Sequence, residues 1–308
     1  MDISVVIPTF NRLDKLKVVL PTLLDQSLSP QRYEIVLADS QSTDGTADFI
    51  AAIPHGDGRV PIRYLPFPYG GRAAARNAGV SCAQAPIVLF TDADILATPD
   101  LLERHLRGHA ASSRPVAIVG CELQVQSLAD YREQRDRPKV RRPLHPPHRV
   151  RLSWLYFLTG NASVRRADVL RVGGFDEGFT GYGHEDLELG YRLEKAGVAL
   201  RYDSEAINFH WHPVGYGEQM DRMELAGVST VRFYRKHRDL AVKTHLGMTP
   251  ISLGLHSVLR AATPLRRAIE RAGAVQEPPK KNTWPFIARQ IAYQYHYLSG
   301  VKNALRGD

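Results

Sequence analysis

Four short apolar runs, each closed by a polar residue or a proline and each followed by a stretch of different character, limit what this chain can fold into. The runs are Ile3–Ile7, Tyr33–Ala38, Ile62–Leu65 and Ile87–Phe90. Between them, Leu16, Val19, Leu20 and Leu23 fall at helical spacing, and residues 46–53 and the Ala-rich 72–83 also read as helices. Strand-length runs alternating with helices argue for an α/β fold with a mostly parallel central sheet flanked by helices. The bulk composition allows a core of that size: 44% of the 308 residues are hydrophobic and 23% charged. Pro8 is expected to stop the first strand. Asn11 or Asp14 is expected to cap the first helix, and Thr98-Pro99 to begin a later one. Val116–Val119 reads as another strand.

The pattern changes over residues 131–151. The run RPKVRRPLHPPHRVR is basic, Pro-rich and without amphipathic period, so it predicts a flexible loop. It is either a solvated insertion or a flap over anionic phosphates. Beyond it, residues 186–195 predict a helix ended by Gly197, 200–202 and 206–209 short strands, and 219–238 a helix. The formal net charge is +8. Residues 251–308 hold nine Lys/Arg against three Asp/Glu, and so carry +6 of it. Cys82 and Cys121 have neither metal-ligand spacing nor a disulfide framework, which suits a reducing compartment. No basic-then-apolar leader and no apolar run of membrane-spanning length is read in the sequence.

Five places carry chemistry. Asp92-Ala93-Asp94 follows the fourth apolar run, and alternate residues of an extended backbone point the same way. Both carboxylates are therefore expected to emerge together and to suit Mn²⁺ or Mg²⁺. Asp39 closes the second run, where a carboxylate can accept from the imide N–H of uracil, thymine or guanine, or simply shape a turn. Arg72 and Arg76, after Gly70-Gly71, share a helix face that can meet phosphate oxygens. Glu185-Asp186 opens a helix, where acids complement the dipole or serve as a general base. His210-Trp211-His212 offers two imidazoles, either able to ligate a metal.

Five blocks occur in order: SVVIPTFNR (4–12), VLADSQSTDGT (36–46), GGRAAARNAG (70–79), IVLFTDAD (87–94) and TGNASVRRADVLRVGGFDEGFTGYGHEDLELGYRL (159–193). With them the chain resembles a GT-A-fold family 2 glycosyltransferase over roughly residues 1–215. The last block also looks like the acceptor-side segment of galactosyltransferases and chondroitin-type polymerases. The resemblance implies nucleotide-sugar binding by Pro8, Thr9, Phe10, Arg12, Asp39, Arg72, Arg76, Asp92 and Ala93. It implies metal ligation by Asp94, Asp92 and His210, with His212 the rival histidine. It implies that Asp186 is the catalytic base and Glu185 its acceptor-contacting neighbour. Ser40 stands where the family carries a second Asp.

The expected organisation is a glycosyltransferase domain over 1–245 and a basic helical C-terminal extension over 246–308. The domain divides into a nucleotide-binding half, 1–125, and an acceptor half, 126–245. The expected activity is inverting, Mn²⁺- or Mg²⁺-dependent transfer from a nucleoside-diphosphate sugar, a UDP-sugar first, to a hydroxyl of a glycan or lipid-linked acceptor. The alternative is a non-catalytic nucleotide-sugar-binding protein. A cytoplasmic location is expected, with peripheral membrane contact through 246–308. No nucleic-acid-binding motif is read.

Overall fold

The computed structural model describes residues 1–307 apart from 55, 69, 136–150 and 276–279, and for Arg151 only the backbone. The chain divides into two compact units: residues 1–180 with 185–213, and residues 181–184 with 214–308.

The first unit opens β1 (Ile3–Thr9), α1 (Leu13–Leu24), β2 (Tyr33–Asp39), α2 (Thr46–Ala51), β3 (Ile62–Pro66), α3 (Gly71–Cys82) and β4 (Ile87–Phe90). It continues β5 (Ile95–Ala97), α4 (Leu101–Ala110), β6 (Val116–Gln124), α5 (Leu128–Gln134) and β7 (Arg151–Leu152). It ends β8 (Ala162–Arg165), α6 (Arg166–Arg171), α7 (Glu185–Lys195) and β9 (Ala199–His210). The nine strands form one sheet in the order β3-β2-β1-β4-β8-β6-β9-β5, with β7 on β9. The neighbours β3, β2, β1 and β4 are all parallel. β6 and β9 run with them, whereas β8, β5 and β7 are antiparallel to their neighbours. Six of the nine strands thus point one way.

β1, β2 and β4 are buried on both faces, which is why they read as continuous apolar runs rather than alternating ones. Pro8 does not stop β1. The Val6 carbonyl accepts from Thr91 beside β4, and residue 8, two further on, faces the same side. There β4 has already ended, its last partner being Val6, so the missing N–H of Pro8 costs no ladder bond. The first helix is capped by neither Asn11 nor Asp14. Asp44 accepts from the Leu13 amide at 2.8 Å, and Asn11 instead accepts from the Thr43 amide. The Thr98 hydroxyl donates to the Ile207 carbonyl, and α4 begins only at Leu101.

Two further expectations change. Residues 131–134 belong to α5, held by a capping box between Ser127 and Asp130. At the other end of the expected loop Arg151 begins β7, and residues 136–150 lie outside the described residues. The strands expected at 200–202 and 206–209 are one strand, β9, with a register shift against β6. That shift falls at Gly120, where a Cβ would run into the Ala206 carbonyl and the Asn161 amide. A side chain there would force β6 and β9 apart, so the close approach demands glycine. Beyond the shift, Gln124 lies opposite His210.

A buried polar network ties α4 to β8. His105 bonds Ser163 and Asn161, both at 2.8 Å, and His109 bonds the same serine at 2.9 Å. Burial pushes His105 down to about 4 and His109 to about 3. These are structural histidines that stay neutral at ordinary pH.

The second unit is helical: α8 (Tyr216–His237), α9 (Leu240–His245), α10 (Pro250–Ala261), α11 (Thr263–Gly273) and α12 (Trp284–Arg306). α12 lies on α8, with Gly227 of one against the Tyr297 backbone of the other and Gly300 against Glu224. No helix among the described residues is long and apolar enough to cross a membrane.

Candidate active site

The carboxyl ends of β1, β2 and β4 form one rim, the place where an open α/β sheet receives ligands. Thr9 pairs with Asp39, and the Thr91 amide bonds Val6. Pro8 and Thr9 are buried there, and Phe10 is exposed just beyond. Arg12, also exposed, receives the first amides of α1 on its carbonyl. Asp39 is fully buried. Its carboxylate accepts from the Ser42 hydroxyl at 2.6 Å and from the Tyr64 hydroxyl. Burial and this carboxylate together push the Tyr64 phenol up, so it stays a donor.

Asp92 and Asp94 do not emerge as an extended pair. β4 has ended at Phe90, and the Asp92 carbonyl accepts from the Ile95 amide across a turn. The turn sends the two side chains to different partners. Asp92 accepts from Arg76 Nη2 at 2.8 Å. Ala93 is buried between them.

Arg76 is one of the largest fully buried side chains of the protein. Its Nη1 donates to Glu185 Oε1 at 2.9 Å, and Arg72 Nε lies 3.7 Å from the same oxygen. The guanidinium also faces the Phe175 ring at 5.6 Å. Arg76 therefore holds carboxylates from two segments, 16 and 109 residues away in sequence. Its terminal nitrogens are engaged on carboxylates, unlike the phosphate contact read for it from the sequence. Burial raises Glu185, but Arg76 and Arg72 outweigh it and hold the group ionised. Asp186, the next residue, is shifted the other way: burial and then the Glu185 charge raise it. Its Oδ1 accepts from the Leu187 amide at 2.8 Å. Two adjacent carboxyl groups thus have their affinities for a proton driven apart. Among the described residues Thr9 Oγ1 and Glu185 Oε2 are buried without a hydrogen-bond partner, so the rim keeps polar atoms that those residues do not satisfy.

Asp94 forms a second cluster. His212 Nδ1 lies 2.8 Å from its Oδ2 and His210 Nε2 3.5 Å from its Oδ1. β5 pairing with β9 sets this arrangement, since Ile95 is opposite His210 and the Trp211 amide bonds the Asp94 carbonyl. Lys15 of α1 sits over the Trp211 ring at 3.4 Å. His210 Nδ1 is 3.2 Å from Glu122, which also accepts from Gln124. Burial disfavours the charged imidazole of His210, but Asp94 and Glu122 more than offset it and hold it at about 10. The same contacts hold Asp94 well below the usual carboxylate range in spite of its burial.

One ligand atom from each of Asp94, His210 and His212 lies within 4.8 Å of the others. A carboxylate oxygen with two imidazole nitrogens can hold a divalent cation and matches Mn²⁺ better than an all-oxygen preference such as that of Mg²⁺. Both rival histidines belong to the cluster, whereas Asp92 lies on Arg76. Sequence reading missed Tyr64, Glu122 and Lys15. Only the β-ladder register could have put Tyr64 near Asp39 and Glu122 near His210.

The glycosyl transferase family 2 model matches residues 4–174, more than half of the chain. A second model, the N-terminal domain of galactosyltransferase, matches residues 144–212. The chain belongs to glycosyl transferase family 2. It is 35% identical over 269 residues to validoxylamine A glucosyltransferase of Streptomyces hygroscopicus subsp. limoneus, covering 77% of this chain. It spans 57% of that relative's length. Among solved structures it is similar to the mannosyltransferase PcManGT from Pyrobaculum calidifontis in complex with GDP-Man and Mn²⁺. There the TM-score is 0.64 at 20% identity, covering 99% of this chain and 88% of that one. It is also similar to S. aureus TarS 1–349 in complex with UDP, with a TM-score of 0.55 at 15% identity, covering 100% of this chain and 92% of that one. These likenesses show the GT-A fold.

Proposed function

We propose that the chain is an inverting, metal-dependent glycosyltransferase that moves a sugar from a nucleoside-diphosphate donor, a UDP-sugar, to an acceptor hydroxyl. The observation that carries this reading is the Arg76 bridge. It joins Asp92, at the donor rim, to Glu185, beside the base candidate Asp186. Family membership supports the reaction class. The relative named a glucosyltransferase and the neighbours bound to GDP-Man with Mn²⁺ and to UDP support the donor class.

Each residue takes a defined part. Asp39, fixed by Ser42 and Tyr64, accepts from the imide N–H of the base, which favours uracil over cytosine or adenine. Asp94, His210 and His212 would hold the cation, which when bound would neutralise charge on the diphosphate. Asp186, with its raised proton affinity, takes the acceptor proton. The acceptor oxygen then forms its bond to the anomeric carbon from the face opposite the diphosphate. The carbon–oxygen bond to the diphosphate breaks, and that oxygen keeps the electron pair. Glu185, held ionised by Arg76, keeps the charge beside Asp186 fixed and orients the acceptor.

The test is a panel of UDP-, GDP- and dTDP-sugars with detection of released nucleoside diphosphate, with Mn²⁺ and with chelator. Release from a UDP-sugar that stops on chelation is expected. Chelator-insensitive release would overturn the metal assignment, and release from GDP-sugars alone would overturn the donor.

A further inference from the structure

The second unit contains a helix, α10, with an apolar stripe on its exposed side. On α10 the one buried side chain is His256, stacked on the Tyr295 ring at 4.7 Å and bonded to Ser299 at 2.9 Å. Three apolar residues of the same helix face solvent: Ile251 is 76% exposed, Leu255 65% and Val258 68%. Leu253 and Leu259 are half-buried, Leu253 against Val231, Met248 and Val301. The three exposed residues stand at i, i+4 and i+7, and so form one continuous stripe. Exposure of large apolar residues one by one is ordinary, but a helix face of this kind marks an interaction site.

α11 follows after a single residue; it buries Ile269 and also carries exposed apolar residues. Leu265 and Ala268 are exposed, three apart, beside exposed Arg267 and Arg271. Trp284 and Ile287, at the start of α12, are exposed in the same way and follow exposed Lys280 and Lys281. The acid described in this region, Glu270, is within reach of Arg266 and His296. The aromatic residues of α12 mostly turn inward, Tyr297 onto Thr230 and the Leu246 carbonyl and Tyr295 onto His256. Exposed apolar residues therefore stand on α10 and on α11, with exposed arginines and lysines close by in the chain.

We propose that this face of α10–α11 seats on the surface of an anionic lipid bilayer. Apolar side chains enter the headgroup boundary while guanidinium and ammonium groups meet lipid phosphates, the pattern of an interfacial helix. The charge complementarity selects this partner over an apolar protein surface, which would leave the cations unpaired. The proposal does not depend on the transfer reaction, since none of these residues belongs to the rim of the sheet.

Flotation of the full chain with phosphatidylcholine vesicles, with and without phosphatidylglycerol, tests it. The chain is expected to float with the anionic vesicles, and raised salt to weaken the association. The triple variant Ile251→Ser, Leu255→Ser, Val258→Ser is expected to lose about a hundredfold in vesicle affinity. These positions are exposed, so its far-ultraviolet dichroism and melting should match the parent. Arg267→Gln with Arg271→Gln should lose the preference for phosphatidylglycerol. Failure of the parent chain to float would overturn the proposal, as would unchanged affinity in a folded triple variant. So would a dimer in sedimentation that the triple variant breaks while the parent binds no lipid, since the face would then join two copies of the chain.

Discussion

Asp92 and Asp94 differ by two positions in the chain and by the kind of cation that meets them. Asp92 is held by a buried guanidinium that cannot give up its proton. Asp94 is held by two imidazoles, each of which can lose a proton and turn a lone pair toward a metal. One carboxylate is fixed into the scaffold and the other stays exchangeable. A motif of two like acids therefore meets two different environments, and the neighbouring elements α3 and β9 decide which is which.

The largest effect should come from the exchangeable side. Asp94→Ala removes a ligand of the proposed metal site, so Mn²⁺-dependent UDP binding should fall by more than the roughly 100-fold typical of losing a supporting group. Unchanged affinity in calorimetry would remove the contrast altogether. Asp186→Asn should lower kcat by about 10² to 10⁴ while UDP binding survives. Near-normal turnover would show that the proton goes elsewhere.

The fixed side should show itself in stability. Arg76→Ala leaves Asp92 without this partner and the buried Glu185 with only the more distant Arg72, and Glu185 should dominate a loss of about 3–5 kcal/mol in urea unfolding. Arg76→Lys should restore part of it. An Arg76→Ala protein as stable as the parent would mean that the bridge is incidental.

Alkaline pH should separate the two clusters in metal-depleted protein. The folded state raises His210 above its ordinary 6.5, to about 10. A raised group contributes stability that is complete below about pH 6.5 and is lost as pH climbs through 10. Unfolding free energy should therefore drop by roughly 1–3 kcal/mol across that window. Asp94→Asn should flatten the drop, and Arg76→Lys should leave it in place. The smallest effect belongs to Glu122→Gln, which keeps the shape beside His210 and removes a charge. About a tenfold weaker Mn²⁺ affinity is expected, and no change would mean that Glu122 does not orient the imidazole.

Much of this was legible before the structure, and unevenly. The strand at Ile87–Phe90 and the acids after it could be read because a buried parallel strand needs a local run of apolar residues and ligands gather where such strands end. The side-chain directions at Asp92 and Asp94 could not, because a turn stabilised by the Asp92 carbonyl breaks the two-residue period. Thr98 has the chemistry of a cap, but the Ile207 carbonyl, 109 residues on, competes for its hydroxyl. His105 and His109 left no signal on their amphipathic helix. Their roles as neutral, buried partners of Ser163 depend on β8 packing beneath α4.

By itself the sequence determined the strand-and-helix alternation, the acids at the strand ends and the family pattern. All three rest on residues close together in the chain, where backbone period and turn chemistry act directly. Tertiary structure alone decided that Arg76 would bind Asp92 and Glu185, that both histidines would meet Asp94, and that α10 would bury a histidine while exposing Ile251, Leu255 and Val258. Those outcomes are set by ladder register and by which group reaches a buried charge at hydrogen-bonding distance, and neither is encoded in any one segment.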